Sequence, residues 1–266
     1  MSWNVNGIRA AVKKGFLEWL DSAGGDIVGV QESRVTVEQL PKELAHLDGW
    51  HSHYVSAERL GYSGVALFSR QAPDHVETSL GVDAFDVEGR FMAAKFGRLV
   101  VVNAYFPNGN GKERDNSRVP YKLDFTEAVR EYAARKRKAG YRVLVMGDFN
   151  TAREAIDLAR PKQNEQTSGF LPEERASLDR WIDDRWIDTF RSQNPEPGHY
   201  TWWSQRGTAR ERNVGWRIDY VMASANLRAG IHRAFHLPEV AGSVHCPLGV
   251  DLDPAVLESG RLQRAE

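Results

Sequence analysis

The apolar, β-branched run Phe91–Phe96 is followed, after only Gly97-Arg98, by a second such run, Leu99–Tyr105. Strands joined by two residues pair as a hairpin, because a parallel partner needs a crossover of a dozen or more residues. Further strands are expected at Asp26–Gln31, Gly64–Ser69, Val143–Met146, Trp216–Ala223 and Cys246–Val250, and helices near 13–22, 36–46, 121–139 and 172–185. Strands outnumber helices and several are adjacent. That pattern favours an α/β (α+β) fold, a four-layer αββα sandwich of two mixed, largely antiparallel sheets flanked by helices, over a simple doubly wound sheet.

A chain of 266 residues with 41% apolar and 27% charged side chains suits one large layered domain, placed at 1–252. A polar tail at 253–266 is expected to fray. No apolar run approaches the roughly 20 residues that span a bilayer. The start, Met1-Ser2-Trp3-Asn4, has neither the basic nor the apolar part of a secretory signal. The single cysteine, Cys246, excludes an internal disulfide framework and a cysteine-based zinc site. A cytoplasmic monomer without a membrane partner is the expectation.

Net charge is −1, which argues against a general polycationic coat for nucleic acid but not against a local basic face. Arg and Lys cluster in Lys112–Arg118, Arg135–Lys138 and Arg206–Arg217. The second cluster reads as the solvated last turn of a helix whose buried face is Phe125, Val129 and Tyr132. Aromatic residues interleave only the third.

Chemistry-bearing residues stand at strand ends. Val143-Leu144-Val145-Met146 runs into Gly147-Asp148-Phe149-Asn150, putting a carboxylate and an amide two residues apart on one side of an extended backbone. The plain alternative is a strand closing in an Asp/Asn turn. Asn4 and Asn6 share a face in Trp3-Asn4-Val5-Asn6-Gly7, where Asn6-Gly7 is also a turn dipeptide. Glu32 ends the strand Ile27–Gln31, and serves as a metal ligand only if a second carboxylate lies within a few ångströms. Tyr105 leaves its strand as either a packed ring with a wet hydroxyl or a site group. Asp219 lies inside a strand pattern, where Asp is depleted. Paired with Asp219, His245 would be an oriented imidazole; alone, it reads as structural. Carboxylates and amides with little nitrogen or sulfur suit Mg²⁺, with Mn²⁺ possible, over Zn²⁺. Metal-assisted attack of water on a phosphodiester uses this set of groups.

Together these segments resemble the exonuclease III family of apurinic/apyrimidinic endonucleases, within the endonuclease/exonuclease/phosphatase superfamily. The matching stretches include Ser2–Ala10, Gln31-Glu32, Gly61–Ala66, Glu88–Phe91, Asn103–Gly109, Gly147–Asn150, Gly169–Arg175, Tyr200–Ser204, Ala209–Tyr220 and His245-Cys246-Pro247, in the family's order. The resemblance implies Glu32 as the main metal carboxylate with Asn4 and Asn6 beside it, and Asp148, Asn150 and His245 completing the metal site. Asp148 would activate water or protonate the leaving oxygen, and Asn150 would position the nucleophile. His245, oriented by Asp219, would contact the scissile phosphate, with Tyr105 and Asn108 close by. The general base stays open among Asp148, His245 and Tyr105. Trp202, Trp216 and Ile218 correspond to an apolar pocket for a flipped baseless sugar, a nucleotide that is cheap to unstack. Arg9, Tyr62 and Arg90 match positions that grip backbone phosphates. Trp203 is assigned to the core.

The chain departs from the family where Ser-Asp-His becomes Ser243-Val244-His245. Valine cannot ligate, so weaker metal affinity is expected. Ser33-Arg34 replaces a common Thr-Lys, and the short first strand is expected to hold Asn4 less firmly. The leading function is a Mg²⁺-dependent DNA-repair nuclease cutting 5′ to abasic sites in double-stranded DNA, with 3′→5′ exonuclease and 3′-phosphatase activity possible. The alternatives are a DNA-binding member whose catalysis Val244 has impaired, and a phosphatase of lipid headgroups or inositol phosphates.

Overall fold

The computed structural model describes residues 1–113 and 115–260. Its strands are, in chain order, β1 (Ser2–Asn4), β2 (Ile27–Gln31), β3 (His51–Val55), β4 (Val65–Ser69), β5 (His75–Glu77), β6 (Phe91–Phe96), β7 (Leu99–Tyr105), β8 (Arg142–Asp148), β9 (Ile187–Asp188), β10 (Trp202–Trp203), β11 (Gly215–Trp216), β12 (Asp219–Ala223), β13 (Ile231–His236) and β14 (Leu248–Leu252). The helices are α1 (Ile8–Val12), α2 (Phe16–Ser22), α3 (Lys42–Ala45), α4 (Asp83–Asp86), α5 (Val119–Lys138) and α6 (Pro172–Asp183).

Two six-stranded sheets result, ordered β13-β14-β1-β2-β4-β3 and β5-β6-β7-β8-β12-β9, with β10 and β11 forming a separate ribbon. Each large sheet holds one parallel pair, β1 with β2 and β7 with β8, among antiparallel neighbours. The alternation of side chains along a strand builds the layers. In β8, Val143 and Val145 face α5 and α6, meeting Phe125, Val129 and Trp181. Leu144 and Met146 face the other sheet and meet Val65, Leu67 and Met92. A third apolar layer joins Val28, Val30 and Phe68 to Ile8, Phe16, Leu20 and Leu44 of the first three helices. Three cores between four layers make the expected αββα sandwich.

Local chemistry moved several boundaries. The helix expected at 13–22 breaks at Gly15, whose φ of 94° is left-handed, leaving α1 and α2 on either side. The helix expected at 36–46 becomes a single 3₁₀ turn, Val37–Gln39, and the short α3, separated at Pro41. The strand expected at Trp216–Ala223 divides into β11 and β12, because Arg217 turns its guanidinium inward to Asp157 and Asp188. The last strand starts at Leu248, one residue after Pro247, which has no N–H for a ladder. The segment expected to fray from Asp253 is instead pinned as far as Gly260. Asp253 caps the turn Pro254–Leu257, and Arg142 donates to the carbonyls of Val256, Glu258 and Gly260. Residues 261–266 of that tail lie outside the described residues. No described helix is long and apolar enough to cross a membrane.

The topology sends one set of strand ends to one edge. Asn4 ends β1, Glu32 follows β2, Tyr105 ends β7 and Asp148 ends β8. Antiparallel β12 begins there with Asp219, opposite Asp148 in the ladder, and His245 lies just before β14, the antiparallel partner of β1.

Candidate active site

Gly147 sets the geometry of the β8 end. A Cβ there would lie 1.9 Å from the carbonyl oxygen of Ala104 on β7, and its φ of 146° disfavours any side chain. The glycine lets β7 and β8 approach closely, which brings Tyr105 beside Asp148 in the ladder. Glu32 and Asn150 both adopt left-handed backbone, at φ 53° and 50°. For Asn this is cheap; for Glu it costs on the order of 1 kcal/mol. The strained turn at Glu32 aims its carboxylate back over the strand ends.

Asn4 is fully buried and sits between the two carboxylates. Its Nδ2 donates to Glu32 Oε1 at 2.9 Å and Asp148 Oδ2 at 2.8 Å, while its Oδ1 accepts from the Asn6 amide at 2.9 Å. With the Ser243 hydroxyl donating to its carbonyl as well, Asn4 is held firmly despite the short strand. Both Nδ2 hydrogens are engaged, so the amide spaces the carboxylates. Asn6 is half-buried, lines the pocket and keeps its own side chain without a hydrogen bond among the described residues.

Tyr105 donates its hydroxyl to Glu32 Oε1 at 2.8 Å. Burial, then the charge of Glu32, pushes the phenol well above its ordinary pKa. Burial opposes the charge on Glu32, but Arg34 and the hydrogen bonds from Asn4 and Tyr105 outweigh it and hold the carboxyl below its ordinary range. Arg34 pairs with Glu32 Oε2 from a side chain that is 42% exposed.

His245 lies between the two facing aspartates. Its Nδ1 is 2.9 Å from Asp219 Oδ2 and its Nε2 is 3.8 Å from Asp148 Oδ2. Asp219 is fixed by the Thr201 hydroxyl, which donates to Oδ2 at 2.6 Å. Burial works against charge on the imidazole, yet Asp219 and then Asp148 override it and raise the ring's pKa. Burial and the facing Asp219 raise the Asp148 carboxyl, with His245 pulling the other way. Asn150 donates its amide N–H to Asp148 Oδ1 at 2.8 Å and its Nδ2 to the Phe106 carbonyl at 2.9 Å, and accepts from Asn108 Nδ2 at 3.2 Å.

One side-chain oxygen or nitrogen from each of Glu32, Asp148 and His245 lies within 4.8 Å of the others. These groups line a cavity of about 570 Å³ whose apolar wall is Trp202, Trp216 and Ile218. The two indoles meet edge to face, centroids 6.4 Å apart, backed by Phe170. Trp203 is buried, as assigned. Val244 also lines this cavity, half-buried.

The expected phosphate contacts divide. Arg9 is exposed. Tyr62 is half-buried, its hydroxyl accepting from Arg90 at 2.8 Å and Arg118 at 3.0 Å. Arg90 must be reassigned: it is 3% exposed, pairs with Glu88, donates to the Tyr105 carbonyl and lies under the Tyr105 ring at 4.5 Å. It braces Tyr105 and Tyr62 from below, and Arg118 is the more accessible cation of that cluster.

Sequence reading missed Lys122. It is buried on α5 and donates to the Asn150 carbonyl at 2.6 Å and to Glu174 Oε1 at 2.7 Å. Glu174 in turn accepts from Ser168, Gly169 and Leu171, tying the loop before α6 to the Asn150 turn. The available signal was a lysine in line with Phe125 and Val129 on the apolar helix face.

Set against known families, the chain matches the Endonuclease/Exonuclease/phosphatase family model over residues 1–243, and it belongs to that family of hydrolases. It is 37% identical over 252 residues to an exodeoxyribonuclease of Bacillus subtilis, covering 93% of this chain and 96% of that protein. An AP endonuclease from Archaeoglobus fulgidus superposes with a TM-score of 0.85 at 26% identity, covering 95% and 98% of the two chains. A Neisseria 3′ phosphatase solved with a product DNA hairpin gives the same TM-score, identity and coverage.

Proposed function

We propose that the protein is a Mg²⁺-dependent DNA-repair nuclease that hydrolyses the phosphodiester 5′ to abasic sites in double-stranded DNA, acting as a cytoplasmic monomer. The observation that carries this is the cluster of Glu32, Asp148 and His245 on the floor of a cavity walled by Trp202, Trp216 and Ile218. Similarity to the exodeoxyribonuclease, AP endonuclease and 3′ phosphatase adds 3′→5′ exonuclease and 3′-phosphatase activity to the proposal.

The donor set fits a hard divalent cation. Its oxygens come from carboxylates, and three carboxylates face one imidazole and one exposed arginine. Glu32 would hold the ion, with Asp148 and the unengaged Asn6 side chain beside it; Arg34 can leave Glu32 for solvent. Such an ion, Mg²⁺ or Mn²⁺, neutralises phosphoryl charge and lowers the pKa of attacking water. The protein groups supply the rest. His245, charged and oriented by Asp219, stabilises negative charge growing on a phosphoryl oxygen. Asp148, easily protonated where it lies, takes the proton of the attacking water or returns one to the leaving 3′ oxygen. Asn150, locked by Phe106 and Lys122, orients the nucleophile, and Tyr105 keeps the Glu32 carboxylate in place. The indole wall offers an apolar seat for a sugar without a base, the nucleotide that costs least to unstack.

Incision of an abasic duplex across a Mg²⁺ or Mn²⁺ titration, comparing the protein with Val244→Asp, tests the reading. Cleavage that demands high metal in the parent and less in the variant supports it. Tight binding without incision at any metal level supports the DNA-binding alternative, and turnover of small phosphate esters alone overturns the assignment to DNA.

A further inference from the structure

Three loops that line the catalytic cavity, around Asn108, Asn150 and Ser168, meet on one buried carboxylate. Glu174, in the first turn of α6, is fully buried. Its Oε2 accepts from the amides of Gly169 at 2.5 Å and Leu171 at 3.1 Å, and its Oε1 accepts from the Ser168 hydroxyl at 3.0 Å. The loop after Asn108 packs on the same oxygen: a Cβ at Gly109 would run into Ser168 Oγ and lie 3.1 Å from Glu174 Oε1. Lys122 joins this carboxylate to the Asn150 turn, its Nζ 2.7 Å from Glu174 Oε1 and 2.6 Å from the Asn150 carbonyl oxygen. That carbonyl also abuts the sugar pocket. A Cβ at Gly169 would stand 3.1 Å from the Asn150 oxygen and 3.3 Å from the Trp216 ring, and the Gly169 carbonyl accepts from the Ala152 amide at 2.7 Å. Gly169, with a left-handed φ of 97°, is thus wedged between the pocket wall and the Asn150 turn.

We propose that Lys122 and Glu174 are a positioning pair: they make the pocket lip at Ser168-Gly169 and the Asn150 turn one unit, so that a baseless sugar seated against Trp216 sets the alignment of Asn150. This rests on the function proposed above. Neither side chain is among those that line the cavity, so both act through Asn150. Burying an ion pair is no general route to stability, since apolar side chains of like volume serve packing as well or better. What this pair adds is directed, charge-assisted hydrogen bonds between the lip and the turn. A filled pocket presses on Gly169, and the pair carries that constraint to the residue that orients the nucleophile. Part of the preference for abasic sites is then expressed in the chemical step and not in binding.

The test measures incision of a duplex with an internal tetrahydrofuran abasic analogue and 3′→5′ digestion of an undamaged duplex end. The variant is Lys122→Met with Glu174→Gln, which removes both charges together and leaves a glutamine able to cap α6. Its thermal midpoint should stay close to that of wild type; Glu174→Gln alone gives the same comparison should the double variant not fold. On the abasic duplex kcat should fall about 10²-fold with KM little changed, the effect of a small misplacement of a positioning group. On the undamaged end, where no baseless sugar fills the pocket, the loss should be about tenfold smaller. In an Asn150→Ala background the same changes should cost less than about twofold more in kcat, because the side chain they position is gone. Lys122→Arg, which keeps the charge and the donors, should recover most of kcat. Unchanged kcat in the variant, equal losses on the two substrates, or an undiminished loss in the Asn150→Ala background each overturn the inference and leave the nuclease assignment standing. A wild type that cuts neither duplex brings down both.

Discussion

Two buried charged clusters flank Ile218 and balance their charge differently. On one side, Arg217 and Arg191 face Asp157 and Asp188 at 2.7–2.8 Å, two cations against two anions. On the other, Asp219 joins Glu32 and Asp148 around His245, with exposed Arg34 as the further cation. The first cluster is closed: the Arg217 guanidinium is saturated by both carboxylates, and Asp157 is held below its ordinary pKa with Arg217 as its strongest counter-charge. The second leaves negative charge uncompensated, and its Asp148 is raised by burial and by Asp219. A buried cluster that neutralises itself holds a fold together. One that does not is asking for a cation or a proton from outside, and that is a reagent's property.

The largest expected effect separates the two by activity. Asp148→Asn should lower abasic-site incision by about 10²–10⁴-fold, the usual worth of a positioned acid or base. Its thermal midpoint should equal or exceed that of wild type, because it removes one of two facing carboxylates. A variant that loses activity together with its fold would break the comparison. The reverse change belongs to the other cluster. Asp157→Asn should cost about 3–5 kcal/mol in urea unfolding, since it strands two buried guanidinium groups beside one remaining carboxylate. The folded fraction should keep kcat within a few-fold.

A smaller effect concerns position 244, where valine lines the cavity. Divalent metal binding only the native state should raise the thermal midpoint of wild type. It should do so in Asp157→Asn and fail to do so in Asp148→Asn. In Val244→Asp the metal concentration giving half the shift should fall about tenfold. An unchanged midpoint concentration would show that a carboxylate at position 244 contributes nothing to the ion.

The contrast also explains what could be read from sequence. Strand ends were legible because Asp148, Glu32 and His245 each interrupt or close an apolar run, and period-two alternation located the runs. Their convergence was legible as a family resemblance, and the Asp219–His245 pair as an acidic residue in a strand that needed a partner. Arg217 was not: inside an Arg-rich segment it looked like part of a basic face, and only the fold shows it turned inward to residues 60 and 29 positions away. Arg90 misled for the same reason, since long-range partners decide whether an arginine is surface or brace. Lys122 hid because a helix is read by its apolar stripe, and one lysine within it looks like noise. The pinned segment after Asp253 depends on Arg142 and Arg98, more than a hundred residues upstream.

The smallest effect, and the one that tests the sign of each cluster, is the pH dependence of stability in chelator-treated protein. Asp157 titrates lower in the folded state than in the unfolded chain, where it lies near 3.9. Its contribution is therefore fully present above that value and is lost as pH falls through its folded pKa. Asp148 is shifted the other way. A carboxyl whose folded pKa is raised gives stability that is present below the unfolded pKa and disappears as pH rises through the folded one. Its proton is bound in the native state while the unfolded chain has already released it. His245, also raised, adds a loss of the same sign at higher pH. Unfolding free energies measured from pH 4 to 8 should thus fall with rising pH more steeply in wild type than in Asp148→Asn, whose amide cannot titrate. Asp157→Asn should keep the wild-type slope above about pH 5.5, because Asp157 is ionised there in both states. Parallel curves for wild type and Asp148→Asn would mean that the facing aspartates carry no excess charge, and the distinction between the closed and the open cluster would fall with them.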